Sequence, residues 1–422
     1  MSGSGGGEGE VGVTEGQGRR ICVVLLTGLG DVVHGLPVVN ALKRADPDCH
    51  ITWVVEPMPS AAVRPHPAVD DVVVFQRARG LPGLVRLMRD MRGRRFDLTL
   101  NFNVYFKSVF PTVLSRAPVR LGIDRARTRD GTWRVSNRHL PPGPVRHTQD
   151  LFLDFLRALD VEPYPLEWQL RPTAAEMEAE RAFFEPIRDG RPVVAIVTAS
   201  GNPKKDWTVD GYAAVVDGLE GDLGCRTMLV GGPGPREQAL ARAVAERARV
   251  RPVWALGDGV RRVLWLVHGS DLVIAPDTGP LHMARALEVP VIGLYGHTNP
   301  WRVGPYRRFE DLWVDHYNEP GAPPDASLAE SKLGRVETIA PAEVLERVER
   351  ARARYMRMGR DAGGIGGPTP AGASGTGAGG VVPDASPEGP ADAGRAGTPA
   401  AASPGRDAPV PAGGARPGSG GP

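Results

Sequence analysis

The sequence lacks the features that mark several large classes of protein. Three cysteines occur in 422 residues, Cys22, Cys49 and Cys225. Their odd number and the lack of paired spacing argue against a disulfide framework and against a zinc site, and fit a reducing compartment. No uninterrupted apolar stretch is long enough to span a bilayer, and no apolar segment of the signal-peptide type follows Met1. The net charge of +2 gives no global argument for nucleic-acid binding.

The composition does support a sizeable folded core. Hydrophobic residues make up 41% of the chain and charged residues 24%, and the length allows two domains and a tail. Residues 1–18 are rich in Gly, and residues 359–422 consist largely of Gly, Pro, Ala and Ser. Neither end can bury enough apolar surface to offset the entropy of ordering, so both are predicted to be disordered.

Between the two ends, short apolar runs alternate with helical patterns, which predicts α/β architecture with parallel sheets. The first set comprises strands at 21–26, 51–55, 72–75, 97–102 and 119–123, and helices through 41–44 and at 84–91, 105–114 and 149–159. The second set comprises strands at 193–197, 227–230, 272–275 and 291–295, and helices at 212–219, 238–247, 260–268, 281–287 and 342–356. A charged helix at 171–190 separates the sets, so the predicted domains are 19–170 and 191–358 with a hinge at 171–190.

Two loops that follow predicted strands carry polar residues suited to chemistry. The loop at 27–37 contains Gly28, Gly30 and Asp31, but it lacks the third glycine of the dinucleotide fingerprint, which argues against an NAD enzyme. In the loop at 277–280, Gly tolerates positive φ and Pro suits the first turn of a helix. The free amides at this helix start favour an anion, most simply a phosphate. The alternative is an ordinary turn with a capping Asp.

Seven short motifs, in one register over residues 21–349, resemble glycosyltransferase family 9, the ADP-heptose:lipopolysaccharide heptosyltransferase family. They are Thr27–His34 with Leu36-Pro37, His66–Asp70, Lys107-Ser108, Arg120–Asp124, Lys205–Trp207, Asp277–His282 and Gly304–Tyr306. Their order and spacing are specific for the family, though not for its substrate. Asn101 and Asn103 stand where the family often has Asp and Gln, and His297 replaces the usual Pro of its G-P-T motif.

The resemblance implies a GT-B-like fold, in which two Rossmann-like domains face a central cleft. The N-terminal domain would lie on the acceptor side and the C-terminal domain would bind the donor. The implied reaction is inverting transfer of a sugar, heptose, from a nucleotide-diphospho-sugar, ADP-heptose, to a lipopolysaccharide-core or other anionic glycan or lipid-linked acceptor. No metal or other cofactor and no nucleic acid is expected. The expected location is cytoplasmic, with peripheral contact to the inner membrane. The alternatives are a nucleotide-sugar epimerase and a non-catalytic nucleotide-sugar-binding protein.

Two side chains are expected to be catalytic. Asp31 would be the general base that takes the proton of the acceptor hydroxyl. A helix N-terminus would stabilise its charged form, so that it would be a weak base. The alternative for Asp31 is a helix cap without chemistry. Lys205 would neutralise the diphosphate leaving group; the alternative is a solvated surface lysine.

Further residues are expected to bind the two substrates. The expected donor ligands are Ser200, Gly201, Glu237, Asp277, Thr278, Gly279, Pro280 and His282, and the expected acceptor ligands are Gly30, Lys107 and Arg120. Glu237 would accept hydrogen bonds from ribose hydroxyls, or would simply be a first-turn Glu favoured by the helix dipole. His282 would contact a sugar hydroxyl or a phosphate oxygen, or would pack beneath the loop. The Arg-rich segment 116–146 suits an anionic acceptor, a solvated loop or an anionic membrane.

Overall fold

The part of the chain that the structure describes forms two parallel six-stranded sheets, each made from its own half of that part. The computed structural model describes residues 18–26 and 28–356, so the predicted disorder of the two ends falls almost wholly outside the described residues. The strands of the first sheet are β1 (Arg20–Val24), β2 (His50–Val55), β3 (Asp71–Val74), β4 (Leu98–Asn101), β5 (Val119–Gly122) and β6 (Arg138–His139). Those of the second sheet are β7 (Val193–Val197), β8 (Arg226–Val230), β9 (Val253–Trp254), β10 (Leu272–Pro276), β11 (Val291–Tyr295) and β12 (Val314–Asp315).

Both sheets have the strand order of a Rossmann fold. The first is ordered β3-β2-β1-β4-β5-β6, and the second β12-β11-β10-β7-β8-β9, which is the same order when its strands are counted from β7. All the strand pairs are parallel. In each sheet the strand order reverses between the first and fourth strands, at β1 and β4 and at β7 and β10. Ligands of open α/β sheets bind at the carboxyl side of this point.

Within the described residues, twelve α-helices connect and cover the strands. They are α1 (Leu29–Ala45), α2 (Pro57–Val63), α3 (Leu81–Met91), α4 (Val109–Leu114), α5 (Thr148–Arg157), α6 (Ala174–Phe184), α7 (Val209–Gly221), α8 (Pro235–Arg247), α9 (Val260–Gly269), α10 (Gly279–Ala286), α11 (Pro300–Val303) and α12 (Pro341–Arg354). In the part of the chain that the structure describes, no helix has the length and apolar character needed to cross a membrane.

The predicted fold class is confirmed, and most predicted elements are present. The strands at 193–197 and 291–295 have the predicted bounds, and most others shift by one to three residues at their ends. The sequence reasoning missed α2, α11 and the short strands β6, β9 and β12, because seven or fewer residues show too little periodicity. The charged helix is shorter than predicted, since α6 begins with a capping box of Thr173 and Glu176.

Two hydrophobic cores hold these elements together. The larger core is continuous through both halves and includes one face of the first sheet. The smaller core lies on the other face of that sheet, where Cys22 and Val24 of β1 pack with Leu87 and Met91 of α3. Alternate residues of β1 point to opposite faces, which is why its apolar run supplies both cores. The domain boundaries and the hinge stay predictions.

Candidate active site

The two reversal points of the sheets meet through the N-termini of α1 and α10, which contact each other. This packing is close at two glycines. A Cβ on Gly30 would lie 2.5 Å from Cδ2 of His282, and a Cβ on Gly279 would lie 2.6 Å from Cδ2 of Leu29. Gly279 does not use the positive φ that glycine tolerates, and its lack of a side chain permits the close helix contact instead. The positive ends of two helix dipoles therefore lie beside one cleft and favour an anion there.

Asp277 is the centre of a polar cluster at the start of α10. Its Oδ2 accepts hydrogen bonds from Nζ of Lys205 at 2.6 Å and from the hydroxyl of Thr298 at 2.9 Å. Its Oδ1 lies 3.4 Å from Nε2 of His282. The N-cap of α10 is Thr278, whose side chain makes no capping hydrogen bond. Asp277 is therefore not the capping residue of an ordinary turn, which was the alternative interpretation of this loop. Pro280 stands in the first turn of α10, as predicted.

The charge of Asp277 is strongly stabilised in this cluster. Burial alone would raise the pKa of its carboxyl, but the Lys205 ammonium and then His282 outweigh burial and hold the pKa below its ordinary value. Asp277 is therefore an anion with three protein partners. A carboxylate repels phosphate, so this geometry favours a role in which Asp277 positions Lys205 and His282, rather than the direct phosphate contact expected from the sequence.

Asp31 lies in the first turn of α1, two residues after the helix begins, and the cap of that helix is Gly28. Asp31 is therefore not the N-cap of α1, and the alternative of a capping role is wrong. Its side chain is exposed to solvent, yet enough protein surrounds it that desolvation raises the pKa of its carboxyl. Electrostatic interactions with His282, Lys107 and Lys205 oppose this rise in the pKa of Asp31 without cancelling it. The expectation of a weakened base is wrong in direction, because desolvation outweighs the helix dipole.

Ser200 and Gly201 follow β7, on the side of the cleft formed by the second half. The buried hydroxyl of Ser200 donates to the carbonyl of Asn202 at 2.6 Å and to Oδ1 of Asp206 at 2.8 Å. The Asp206 carboxylate also pairs with Arg236. Ser200 thus organises the loop that carries Lys205, while a Cβ on Gly201 would meet no heavy atom within 4 Å.

Glu237 stands in the first turn of α8, and its carboxylate accepts a hydrogen bond from the backbone N–H of Gly232. It therefore closes the Gly-rich loop between β8 and α8. The half-buried side chain retains its second oxygen, Oε1, for which the ribose role stays a prediction.

Of the expected acceptor residues, Lys107 lies near the carboxylate of Asp31 and Arg120 does not face it. Burial lowers the pKa of Lys107, and Asp31 acts in the opposite direction, so the two charges are within electrostatic reach. Arg120 lies near the start of β5 rather than at its carboxyl end. Its guanidinium donates to the carbonyls of Val135 and Ala117 at 2.9 and 2.8 Å, which stabilises the protein's own backbone.

Three buried histidines, which come from both halves, pack together beside the cluster of Asp277. The ring centroid of His34 lies 4.6 Å from that of His282 and 5.5 Å from that of His147. His147 also donates from Nε2 to the carbonyl of Gly304 at 3.0 Å. Burial lowers the pKa of His147 to about 4, and it lowers that of His34 well below its usual value. Both rings are therefore neutral at pH 7 and serve as packing between the halves.

Sequence reasoning missed several residues that build the site. Thr298 binds Asp277. Its position in the stretch Gly296–Thr298, which corresponds to the G-P-T motif of the family, could have indicated it. Asp206 lies inside the motif Lys205–Trp207, but its partners Ser200 and Arg236 lie outside that motif. Asn103 accepts from the N–H of Leu26 at 3.3 Å and donates to the carbonyl of Val24 at 2.8 Å. Asn103 thus braces the end of β1, a role that its departure from the family motif did not indicate.

The chain is similar to known proteins over most of its length. The model of the family described as glycosyltransferase family 9 (heptosyltransferase) matches residues 84–321, more than half of the chain. The chain is similar to the lipopolysaccharide core heptosyltransferase OpsX of Haemophilus influenzae, with 26% identity over 302 residues that cover 71% of this chain and 85% of that protein. It is also similar to lipopolysaccharide heptosyltransferase 1 of Pseudomonas aeruginosa, with 29% identity over 68% of this chain and 82% of that protein.

A solved structure has the same fold. The Escherichia coli heptosyltransferase WaaC with ADP superimposes with a TM-score of 0.62 at 22% identity, and the match covers 78% of this chain and 99% of that chain. At this identity the likeness concerns the fold alone, and it supports the two facing Rossmann-like halves described above.

Proposed function

Since the chain belongs to glycosyltransferase family 9 and is an enzyme of glycosyl transfer, we propose that it moves heptose from ADP-heptose to an anionic lipopolysaccharide-core acceptor with inversion at the sugar carbon. The observation that carries the proposal is the meeting of two helix N-termini at one cleft, with the exposed carboxylate of Asp31 on one side and the cation Lys205 on the other. The relatives named as heptosyltransferases and the ADP in the WaaC structure support the choice of donor.

In the proposed reaction, Asp31 acts as general base. The acceptor hydroxyl attacks the anomeric carbon of the donor as its proton passes to the Asp31 carboxylate, and the bond from that carbon to the diphosphate oxygen breaks. A carboxyl whose pKa is raised by desolvation binds the proton better than an ordinary aspartate. Its exposed position in the cleft leaves the carboxylate accessible to an acceptor hydroxyl.

The departing diphosphate gains negative charge, and the second half supplies the groups to stabilise it. Lys205 is held by Asp277 at 2.6 Å, so the ammonium is already oriented when the charge develops. The backbone amides at the start of α10 and the dipole of that helix add to it. The carboxylate of Asp277 orients Lys205, and its two oxygens are both engaged within the protein.

A donor screen by mass spectrometry tests the proposal directly. The full chain is supplied with ADP-heptose, and in parallel with other nucleotide sugars, together with a lipopolysaccharide-core acceptor that lacks heptose. We expect a product heavier by one heptose, and we expect Asp31→Asn to lower kcat by about 10² to 10⁴-fold with little change in donor affinity. Near-normal turnover of Asp31→Asn would refute the role as base.

Two control reactions separate the proposal from its alternatives. Donor supplied without acceptor would be epimerised if the protein were a nucleotide-sugar epimerase. Calorimetry that detects donor binding, in a protein that neither transfers nor hydrolyses the sugar, would favour a binding protein. A transferase gives neither result.

A further inference from the structure

The helices α3 and α4 cover one face of the first sheet, and their outer sides are unusually apolar. The helix α3 and the segment 106–114, which is a 3-10 turn followed by α4, each present three exposed hydrophobic side chains at spacing i, i+4, i+7. We call these six residues the α3–α4 patch: Leu81, Val85, Met88, Phe106, Phe110 and Val113. With Tyr105, they account for seven of the fifteen large hydrophobic side chains that are exposed in the described residues. The patch is therefore a local concentration rather than scattered surface residues.

The exposure of the patch follows from the helices' orientation. In α3 a different stripe, with Leu87 and Met91, is buried in the smaller core, so the stripe with Leu81, 71% exposed, cannot also face the sheet. The rings of Phe106 and Phe110 pack edge to face, with centroids 6.0 Å apart. The two helices contact each other, so their exposed stripes belong to one surface.

The surroundings of the patch are strongly basic. Residues 77–116 contain nine Arg or Lys and two Asp, although the whole chain carries only +2. Arg86, Arg89 and Arg116 are exposed around the patch. Arg86 pairs with Asp90 at 3.5 Å, and Arg77 and Arg94 pair with Glu56 and Asp71. Four further arginines of the segment form no ion pair within the described residues: Arg79, Arg92, Arg95 and Arg116. An apolar surface within a basic rim matches the acyl and headgroup layers of an anionic bilayer.

The patch also borders the candidate active site. The segment 106–114 follows β4, whose carboxyl end lies beside that of β1, with Asn101 opposite Val24. Between Phe106 and Phe110 this segment carries Lys107, whose pKa responds to Asp31. One short segment therefore presents apolar side chains outward and a cation towards the cleft.

We propose that the α3–α4 patch docks the enzyme on an anionic lipid surface and brings a membrane-borne acceptor to Lys107 and Asp31. The delivery of the acceptor rests on the proposed function, whereas the docking itself does not. The exposed basic residues attract the anionic surface, and the inserted apolar side chains supply the second contribution that stable peripheral binding requires. A second copy of the chain fits this surface poorly, because a symmetric contact would bring two basic rims together.

Vesicle co-sedimentation of the full chain tests the docking. The vesicles contain phosphatidylcholine and phosphatidylglycerol at 7:3, or phosphatidylcholine alone, at several salt concentrations. The test variant is Val85→Ser/Met88→Ser/Phe110→Ser, and the matched control is Trp254→Ser/Leu333→Ser, which removes exposed apolar side chains from the second half. We expect salt-sensitive binding to the anionic vesicles, and a loss of about tenfold or more in partition for the test variant only. Circular dichroism checks that both variants remain folded.

Several results would overturn the docking surface. They are equal partition of the test variant and the control, equal binding to both kinds of vesicle, and a concentration-dependent dimer that the test variant abolishes. Failure of the proposed function has a different signature, namely no transfer to any acceptor while the test variant still loses vesicle binding. If both proposals hold, the test variant transfers sugar normally to a water-soluble acceptor fragment and poorly to an acceptor in anionic vesicles.

Discussion

The pair of Lys205 and Asp277 is expected to act as one unit, and a double-mutant cycle measures this. The two side chains are joined at 2.6 Å, with side-chain exposures of 24% and 8%. Lys205→Met removes a preorganised cation, for which we expect a loss of about 10²-fold in kcat/KM. Asp277→Asn leaves Lys205 in place but removes the carboxylate that orients it, for which we expect a loss of about 10- to 10²-fold in kcat/KM. The double variant should be little worse than Lys205→Met, so the coupling energy should be about 1–3 kcal/mol.

Stability should follow a different order from activity. Lys205→Met leaves a buried carboxylate without its main cation, and we expect the free energy of unfolding to fall by about 1–3 kcal/mol. This is less than for a fully buried pair, because Lys205 is about a quarter exposed. Adding Asp277→Asn removes the uncompensated charge, so the double variant should be more stable than Lys205→Met alone.

Steady-state kinetics and chemical denaturation at pH 7 provide the two measurements. The matched control is Lys204→Met, because Lys204 is the adjacent exposed lysine and its loss should leave both quantities within error. Additive losses in kcat/KM would refute the argument that Asp277 acts through Lys205. A double variant less stable than Lys205→Met would refute the account of the buried charge.

Three further predictions concern the contact between the halves. Burial lowers the pKa of His147 to about 4 from an unfolded value of about 6.5, so the unfolded chain binds more protons between these pH values. The free energy of unfolding should therefore be fully present above pH 6.5 and should fall by about 2 kcal/mol from pH 7 to pH 5. Denaturation of His147→Gln at several pH values should show a weaker dependence of this free energy on pH. Gly279→Ala should lower the free energy of unfolding by about 1–3 kcal/mol, because the added methyl group would collide with Leu29 of α1. The control Gly201→Ala places its methyl group in open space and should change this free energy by less than about 0.5 kcal/mol, as thermal or chemical unfolding will show. Tyr306→Phe removes a 2.5 Å hydrogen bond to Asp150 and should cost about 1.5–3 kcal/mol by denaturation; an unchanged midpoint and slope would contradict it.

Much of the fold could be predicted from the sequence because its signals are local. The strand at 193–197 is a run of five buried apolar residues, which is the pattern of a strand covered on both faces. Pro280 indicated the start of a helix in the same way. Short elements such as α2 escaped prediction, since their positions are determined by contacts with distant residues rather than by their own periodicity.

The candidate site was only half predictable. Motif order indicated Asp31, Lys205 and Asp277 as residues near one cleft, and the structure brings the last two together. The direction of the Asp31 pKa shift was predicted wrongly, because a helix dipole is visible in sequence while the protein that surrounds a carboxylate is not. The hydroxyl of Ser200 is engaged inside its own loop, which no local pattern reveals.

The sequence by itself determined the order of strands and helices, the presence of two similar α/β halves and the family, since these depend on periodicity and on short motifs in one register. Only the tertiary structure decided that Asp277 holds Lys205 across 72 positions of the chain, that two glycines allow α1 and α10 to meet, and that the apolar stripes of α3 and α4 share one surface. Each of these depends on distances between residues far apart in sequence. Such distances arise from the packing of the two sheets and their helices, which the pattern of any single segment does not contain.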